Sequence, residues 1–342
     1  MSDSQKWFDK TYVPLSPSEV PELPNQRTRV IQLRDLEGLG RDVEAFRRTH
    51  MGAFEHVYQY AMSIDAPGLA YALLDQEGAV RTLQHVGDSR FRANSLVVGR
   101  HSHVDSPTEA TNLALRHTVV TPRATEPSIV EVRDLRSATG TRLLDGTRVI
   151  AAQLDSPCVL DLGELYLVLA STPVKLDRAD WIARLLSSSY QTLPLAPSPI
   201  GLRLERFAKL PPNGGRGTGS GAFRVVDTDD LGPVELRLEE MVELTPTPEQ
   251  VTRGFLLGRY GRCDWPAKGD GNPSGLSRVH AMVFASQGRP YIVDTGSTNG
   301  VRHGAKGYVR YKHLELGDQL WLGRTVRLSV VEAKAIEVRL DA

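Results

Sequence analysis

The sequence predicts an all-β protein: two β-sandwich domains, a helical extension ahead of the first, and a helix with a Pro/Gly-rich linker between them. Three observations predict it. Apolar runs are short and turn residues separate them, as in sandwiches and barrels. Gly (30) and Pro (21) are abundant while aromatics make up 6%, a mix that suits many strands joined by tight turns. A set of short motifs also occurs twice, about 160 residues apart, the mark of an internal duplication. The length of 342 residues fits two domains, and 40% hydrophobic residues suffice for real cores.

Residues 1–35 hold Pro14, Pro17, Pro21 and Pro24 without a clear period, and read as an extended, partly disordered arm. Residues 36–63 read as a helix, because Val43, Phe46, Met51, Phe54, Val57, Tyr58 and Ala61 recur mostly at three and four. From 64 to 172 the runs GLAYALLD, VRTLQHV, SLVVGR, SIVEVRDL and LYLVLA predict the first sandwich. Residues 173–221 read as a short helix capped by Asp177 or Asp180, then a linker containing Pro194, Pro197, Pro199, Pro211, Pro212 and NGGRGTGSG. Residues 222–336 read as the second sandwich, with runs such as GFLLGRY, HAMVFAS, PYIVD and QLWLG.

Composition excludes several classes. Lys+Arg and Asp+Glu are 41 each, so the net charge is zero, against a general nucleic-acid binder or a polybasic membrane anchor. The first residues carry Asp3, Lys6, Asp9 and Lys10 and lack a signal-peptide core; nowhere are 18 apolar residues consecutive, so no membrane insertion is expected. Cys158 and Cys263 are too few for a disulfide framework or a Cys-type zinc site, and read as reduced thiols. A soluble, cytoplasmic protein is expected.

Four signals stand in order in the second sandwich. Gly258-Arg259 ends an apolar run; Ser277-Arg278-Val279-His280 follows a Gly-rich loop; Asp294 to Gly300 reads DTGSTNG; and Leu316-Gly317-Asp318-Gln319-Leu320 enters a late strand. The combination G-R, S-x-x-H, S-x-N-G and G-D-x-[IL] resembles a forkhead-associated (FHA) domain, a reader of phosphothreonine peptides. The resemblance covers roughly the last third of the chain.

The residue types suit that ligand on chemical grounds. A phosphothreonine carries about −1.5 to −2 charges at pH 7 and three strong acceptor oxygens. A planar guanidinium answers it with two parallel donors, better than a lysine does. Arg259 stands where such a fork is needed, and Ser277 supplies a compact hydroxyl donor. The amide of Asn299 has a donor and an acceptor, which matches a peptide backbone. The resemblance implies Arg259, Ser277, Arg278 and Thr298 at the phosphate and Asn299 on the ligand main chain. It also implies that His280 braces the loops without catalysing, and that loops at 271–276 and 300–308 read the residue three after the phosphothreonine. Gly258 and Gly300 read as backbone requirements for a tight turn or close approach. Taken singly, an Arg at a strand end is usually a solvated charge and an Asn-Gly usually a hairpin turn; the joint pattern outweighs those readings.

The first sandwich carries a diverged copy. Gly99-Arg100 matches Gly258-Arg259, His117 matches His280, and Asp134 to Thr141, including Gly140, matches DTGSTNGV. The offsets are 159 residues at Arg100/Arg259, 163 at His117/His280 and 160 at Gly140/Gly300. Ala114 replaces Ser277 and Thr139 replaces Asn299, so a phosphate donor and the peptide clamp are gone. Any residual anion site there rests on Arg100, with Arg116 beside it.

Other signals fail. His101-Ser102-His103 has no third ligand near it but Asp105, and reads as a solvated turn rather than a metal site. Gly215 to Gly219 lacks the strand-to-helix context of a nucleotide loop. No catalytic constellation and no cofactor motif occurs, so the chain is not expected to be an enzyme. The functional expectation is a signalling adaptor that docks a Thr-phosphorylated partner, the product of a Ser/Thr kinase, with the first sandwich as scaffold. The alternative is a phospho-independent assembly subunit with a vestigial pocket.

Overall fold

The structure is a computed structural model. It describes residues 29–30, 43–87, 95–196, 200–209, 223–228, 232–267, 275–304 and 307–333, except the single positions 112, 124, 127 and 188. The expected arm apart from Arg29–Val30, the linker at 197–199 and 210–221, and 271–274 of the expected reading loop lie outside the described residues. Among those described, four sheets and three helices make an all-β architecture with a small helical part.

The first sandwich uses β1 (Arg29–Val30), β2 (Gly68–Asp75), β3 (Val80–Val86), β4 (Leu96–Gly99), β5 (Ser106–Pro107), β6 (Thr118–Pro122) and β7 (Ile129–Asp134). It continues through β8 (Thr141–Arg142), β9 (Arg148–Val149), β10 (Ala151–Asp155), β11 (Cys158–Asp161), β12 (Leu165–Thr172) and β13 (Ser189–Thr192). The second uses β14 (Gly201–Lys209), β15 (Phe223–Thr228), β16 (Gly232–Leu244), β17 (Phe255–Gly258), β18 (Trp265–Pro266), β19 (Ala281–Ser286) and β20 (Arg289–Asp294). Its last strands are β21 (Val301–Arg302), β22 (Tyr308–Val309), β23 (Tyr311–His313), β24 (Gln319–Leu322) and β25 (Val326–Val331).

Strand order makes the duplication explicit. The run β5-β4-β6-β7-β10 in one sandwich has the order of β18-β17-β19-β20-β23 in the other. The run β3-β2-β12-β11-β8-β9 has the order of β16-β14-β25-β24-β21-β22. Even the unusual parallel pair recurs, Val98 facing Ser106 and Leu257 facing Trp265.

Two boundaries differ from expectation. The stretch expected as linker contains β13, which pairs with β10 and so belongs to the first sandwich, and β14, which lies between β16 and β25. The second sandwich therefore starts near Gly201, not at 222. Leu202 and Leu204 alternate into the second core before the register shifts between Arg206 and Phe207, a short pattern obscured in the sequence by flanking prolines. Two of the three helices belong to the first core, and the third, Pro248–Arg253, buries Val251 in the second. Val43–Ser63 buries Ala53, Phe54, Val57 and Ala61 in the first core. Arg178–Leu186, capped by Asp177 accepting from Asp180 N–H, buries Trp181, Ile182, Leu185 and Leu186.

The two sandwiches are packed on each other. In β4, Leu96 and Val98 face their own core while Val97 faces the other domain; in β17, Leu257 faces inward and Leu256 outward. Val119, Leu135, Met282, Phe284 and Val293 join Val97 and Leu256 in an apolar layer shared between domains. A sheet covered on both faces needs unbroken apolar runs, and these strands have them. Ion pairs to equivalent aspartates frame the layer on both sides. Arg136 of the first sandwich reaches Asp264 at 2.5 Å, and Arg310 of the second reaches Asp105 at 2.8 Å. Those two aspartates are equivalent: each also accepts a backbone N–H from its own sandwich, Val97 or Leu256.

Candidate functional site

The motif residues of the second sandwich gather where β17 ends and the loops before β19 and β21 begin. Gly258 lies so close to the next loop that an added Cβ would stand 2.2 Å from the Arg278 carbonyl oxygen. This approach lets Arg259 N–H reach Ser277 O at 3.1 Å and Tyr260 N–H reach Arg278 O at 3.0 Å. The strand end and the Ser277-Arg278 loop are thereby locked together, with the Arg259 and Arg278 side chains exposed.

His280 ties the loops from beneath. It is fully buried; its Nδ1 accepts from Ser277 N–H at 3.0 Å, which fixes the proton on Nε2, the donor to Gly300 O at 2.9 Å. Burial pushes its pKa down, opposed in part by Asp294 and the Gly300 carbonyl. Asp294 organises the next loop by accepting from Ser297 N–H at 2.6 Å, Ser297 Oγ at 2.8 Å and Val301 N–H at 2.9 Å. Gly300 turns that loop with φ of +70°.

Three of the expected site residues are braced by hydrogen bonds between the loops. Ser277 is buried and its Oγ accepts from Thr298 N–H at 3.0 Å, which leaves its own proton to donate. Asn299 Nδ2 donates to Gly275 O at 2.9 Å, so one amide proton is committed and Oδ1 is left as acceptor.

Arg259, Ser277, Arg278, Thr298 and Asn299 line one open cleft of about 360 Å³ with Gly275 and Leu276. The far wall comes from the first sandwich: His101, Leu115 and Arg116. Among the described residues no carboxylate lines it, although the chain as a whole is neutral. Opposite charges elsewhere on the protein do not cancel a local field within a few ångströms.

These three wall residues escaped sequence reading. His101 stands in a turn, as expected, but it is half-buried: its ring lies edge-on to that of His103, with centroids 5.0 Å apart, and forms part of the cleft. Arg116 was expected beside Arg100 in a residual site of the first copy. Its guanidinium instead crosses the boundary, with Nε donating to Thr295 O at 2.7 Å and Nη2 to Gly296 O at 2.6 Å. Only the near-constant offset carried a signal: Arg116 falls at the position of Val279, where the second copy has no charge.

In the first copy the frame persists without the ligand groups. Gly99 makes the same close approach, His117 Nε2 lies 3.2 Å from Gly140 O, and Asp134 accepts from Ser137 and Thr141. Arg100 is exposed at the strand end, while Ala114 and Thr139 occupy the positions of Ser277 and Asn299. No cluster of three metal-ligating side chains occurs among the described residues. No helix among them is long and apolar enough to cross a membrane. Both cysteines are free and buried, and burial pushes the Cys263 thiol up to about 11.

Residues 255–323 match the family model described as FHA domain, and the second sandwich is thus an FHA domain. FHA domains are interaction modules, not enzymes. The chain is similar to the FHA domain of a Chlamydia trachomatis protein at 16% identity and a TM-score of 0.25, covering 30% of this chain and 96% of that one. It is similar to an FHA domain studied for phosphothreonine-dependent interactions at 21% identity and a TM-score of 0.25, covering 31% and 99%. It is also similar to the first FHA domain of Mycobacterium tuberculosis Rv1747 at 15% identity and a TM-score of 0.24, covering 40% and 100%. No curated protein matches the chain.

Proposed function

We infer that the second sandwich docks a phosphothreonine-bearing segment of a partner protein, and that the chain acts as a signalling adaptor downstream of a Ser/Thr kinase. The observation that carries this reading is a cleft lined by Arg259, Arg278 and Arg116 with no carboxylate among the described residues. Arg259 and Arg278 supply charge and forked donors to the phosphate, Ser277 its hydroxyl proton, and Thr298 a further hydroxyl. Asn299 meets the ligand main chain with the amide atoms that Gly275 leaves unused. His280 holds Ser277 and Gly300 at their spacing. Reduced, buried cysteines suit a cytoplasmic setting.

The test is fluorescence anisotropy on the full chain with one peptide in three forms: phosphothreonine, phosphoserine and unmodified. Phosphothreonine should bind best and the unmodified peptide should not compete. Arg259→Ala should weaken binding by tens of fold, since hydrogen bonds to charged groups contribute about 1.5–3 kcal/mol each. Equal binding of all three forms, or an unaltered Arg259→Ala, would reject the reading. Partner capture that survived both phosphatase and Arg259→Ala would assign the chain to phospho-independent assembly.

A further inference from the structure

The first sandwich faces the cleft with a cation whose environment does not account for it. Arg116 is 6% exposed, yet both hydrogen bonds it makes are to neutral carbonyls. No carboxylate lies within ion-pair distance of it among the described residues. Asp294, whose charge Arg116 feels, already accepts from Ser297 and Val301. Burial lowers the Arg116 pKa to about 10; Asp294 opposes this in part, while Arg310 and Arg278 add repulsion. A buried charge with no carboxylate in contact is costly, and a ligand anion would complete the site.

Geometry shows where that ligand enters. Arg133, a fully buried arginine that also crosses the domain boundary, has its Nη1 sealed from solvent. Arg116 Nη1 has no partner among the described residues and is not sealed, and the residue lines the cleft. The two carbonyl bonds hold the guanidinium plane fixed, leaving the Nη1 donors preorganised. His101 adds a neutral donor. Its Nδ1 accepts from His103 N–H at 3.2 Å, which puts the ring proton on Nε2.

We propose that the first sandwich supplies a second anion subsite in this cleft, built on Arg116 with His101. The ligand is then a phosphothreonine segment carrying a second negative group near the first, either a carboxylate or a second phosphate. The subsite rests on the phosphothreonine reading above and extends it: the diverged copy has become one wall of its neighbour's site.

The test uses the full chain and a labelled peptide with one phosphothreonine and neutral flanks. Two scans place a single glutamate, or a single phosphoserine, at each of four positions on either side. The readout is the ratio of affinities, charged peptide over neutral parent, within each protein. In the wild type one position should gain about tenfold, as charge-assisted hydrogen bonds allow. The ratio should fall to near one in Arg116→Gln and drop in His101→Ala. His101→Ala stands as the independent variant should Arg116→Gln fail to fold. A gain in both scans identifies a carboxylate as sufficient; a gain with phosphoserine alone identifies a second phosphate. A flat wild-type scan overturns the subsite while binding of the parent leaves the phosphothreonine reading intact. A ratio undiminished in the variants overturns it too. Failure of every phosphothreonine peptide, parent included, removes both.

Discussion

Replacing Arg133 with alanine should uncouple the two sandwiches. Arg133 is fully buried, stands on β7 and points into the second domain. Its Nε donates to Thr252 O at 3.0 Å and its Nη2 to Ala285 O at 2.6 Å, both across the boundary. Nη2 also pairs with Glu131 at 2.9 Å, and the guanidinium lies 4.5 Å from the centre of the Phe284 ring. Glu131 is 1% exposed, with Arg123 Nε the next cation at 3.9 Å. Alanine leaves that carboxylate nearly alone and two carbonyls without donors. Removing one partner of a buried ion pair costs about 3–5 kcal/mol. The assay is urea unfolding followed by tryptophan fluorescence, reporting Trp181 and Trp265 in different sandwiches. Wild type should unfold in one transition, and Arg133→Ala in two, the first at markedly lower urea. The paired change Arg133→Met with Glu131→Gln should recover most of the loss, since apolar or neutral replacement of a whole buried pair is often near neutral. A loss under about 1 kcal/mol, within the range of a surface substitution, would mean the boundary is not held by this residue.

Other outcomes follow from the same contacts. Arg100→Ala should leave phosphopeptide affinity within about twofold by anisotropy, because Ala114 and Thr139 have removed its helpers; a loss as large as that of Arg259→Ala would move the site to the first sandwich. His280 should make the fold acid-sensitive. Its folded pKa lies below the unfolded value of about 6.5, so its contribution is full above that pH and declines as pH falls from there toward the folded value, by up to about 1.4 kcal/mol per pH unit. His280→Asn should flatten that part of a stability-versus-pH curve, and an unchanged slope would count against it. A fragment of residues 222–342 should show no cooperative circular-dichroism melt, because it lacks β14 from the middle of its sheet. Starting at 195 restores the sheet but exposes Leu256, Met282, Phe284 and Val293, so that fragment should self-associate by size-exclusion chromatography.

What the sequence disclosed was local. Gly258-Arg259, Ser277 and His280 are set by strand ends and tight loops, whose residue demands are written within a few positions. The duplication was legible because equivalent turns keep equivalent residues. The strand Gly201–Lys209 was not, because its alternation is brief and prolines on both sides read as linker. Domain packing was encoded, though differently: runs such as Leu96-Val97-Val98 and Phe255-Leu256-Leu257 lack the polar alternation of a sheet with one wet face. Which surface covered the second face is a long-range property that periodicity does not carry. The same holds for Arg116, whose role depends on the length of its side chain and on a loop 179 residues away.

The pattern of loss and gain in the first copy is then coherent. Ala114, Leu115 and Thr139 give up the hydroxyl, guanidinium and amide that Ser277, Arg278 and Asn299 supply in the second. The bracing network of His117, Asp134 and Ser137 needs no ligand and is kept, because the loops still have to hold a shape. That shape now serves the neighbour: it carries Arg116 under Thr295 and Gly296, the segment leading to Thr298 and Asn299. A reader of phosphate needs donors fixed before the ligand arrives, since ordering them on binding would cost affinity. Docking the copies face to face fixes the loop from outside its own domain, and brings a positive wall to a cleft that one sandwich alone would leave open on that side.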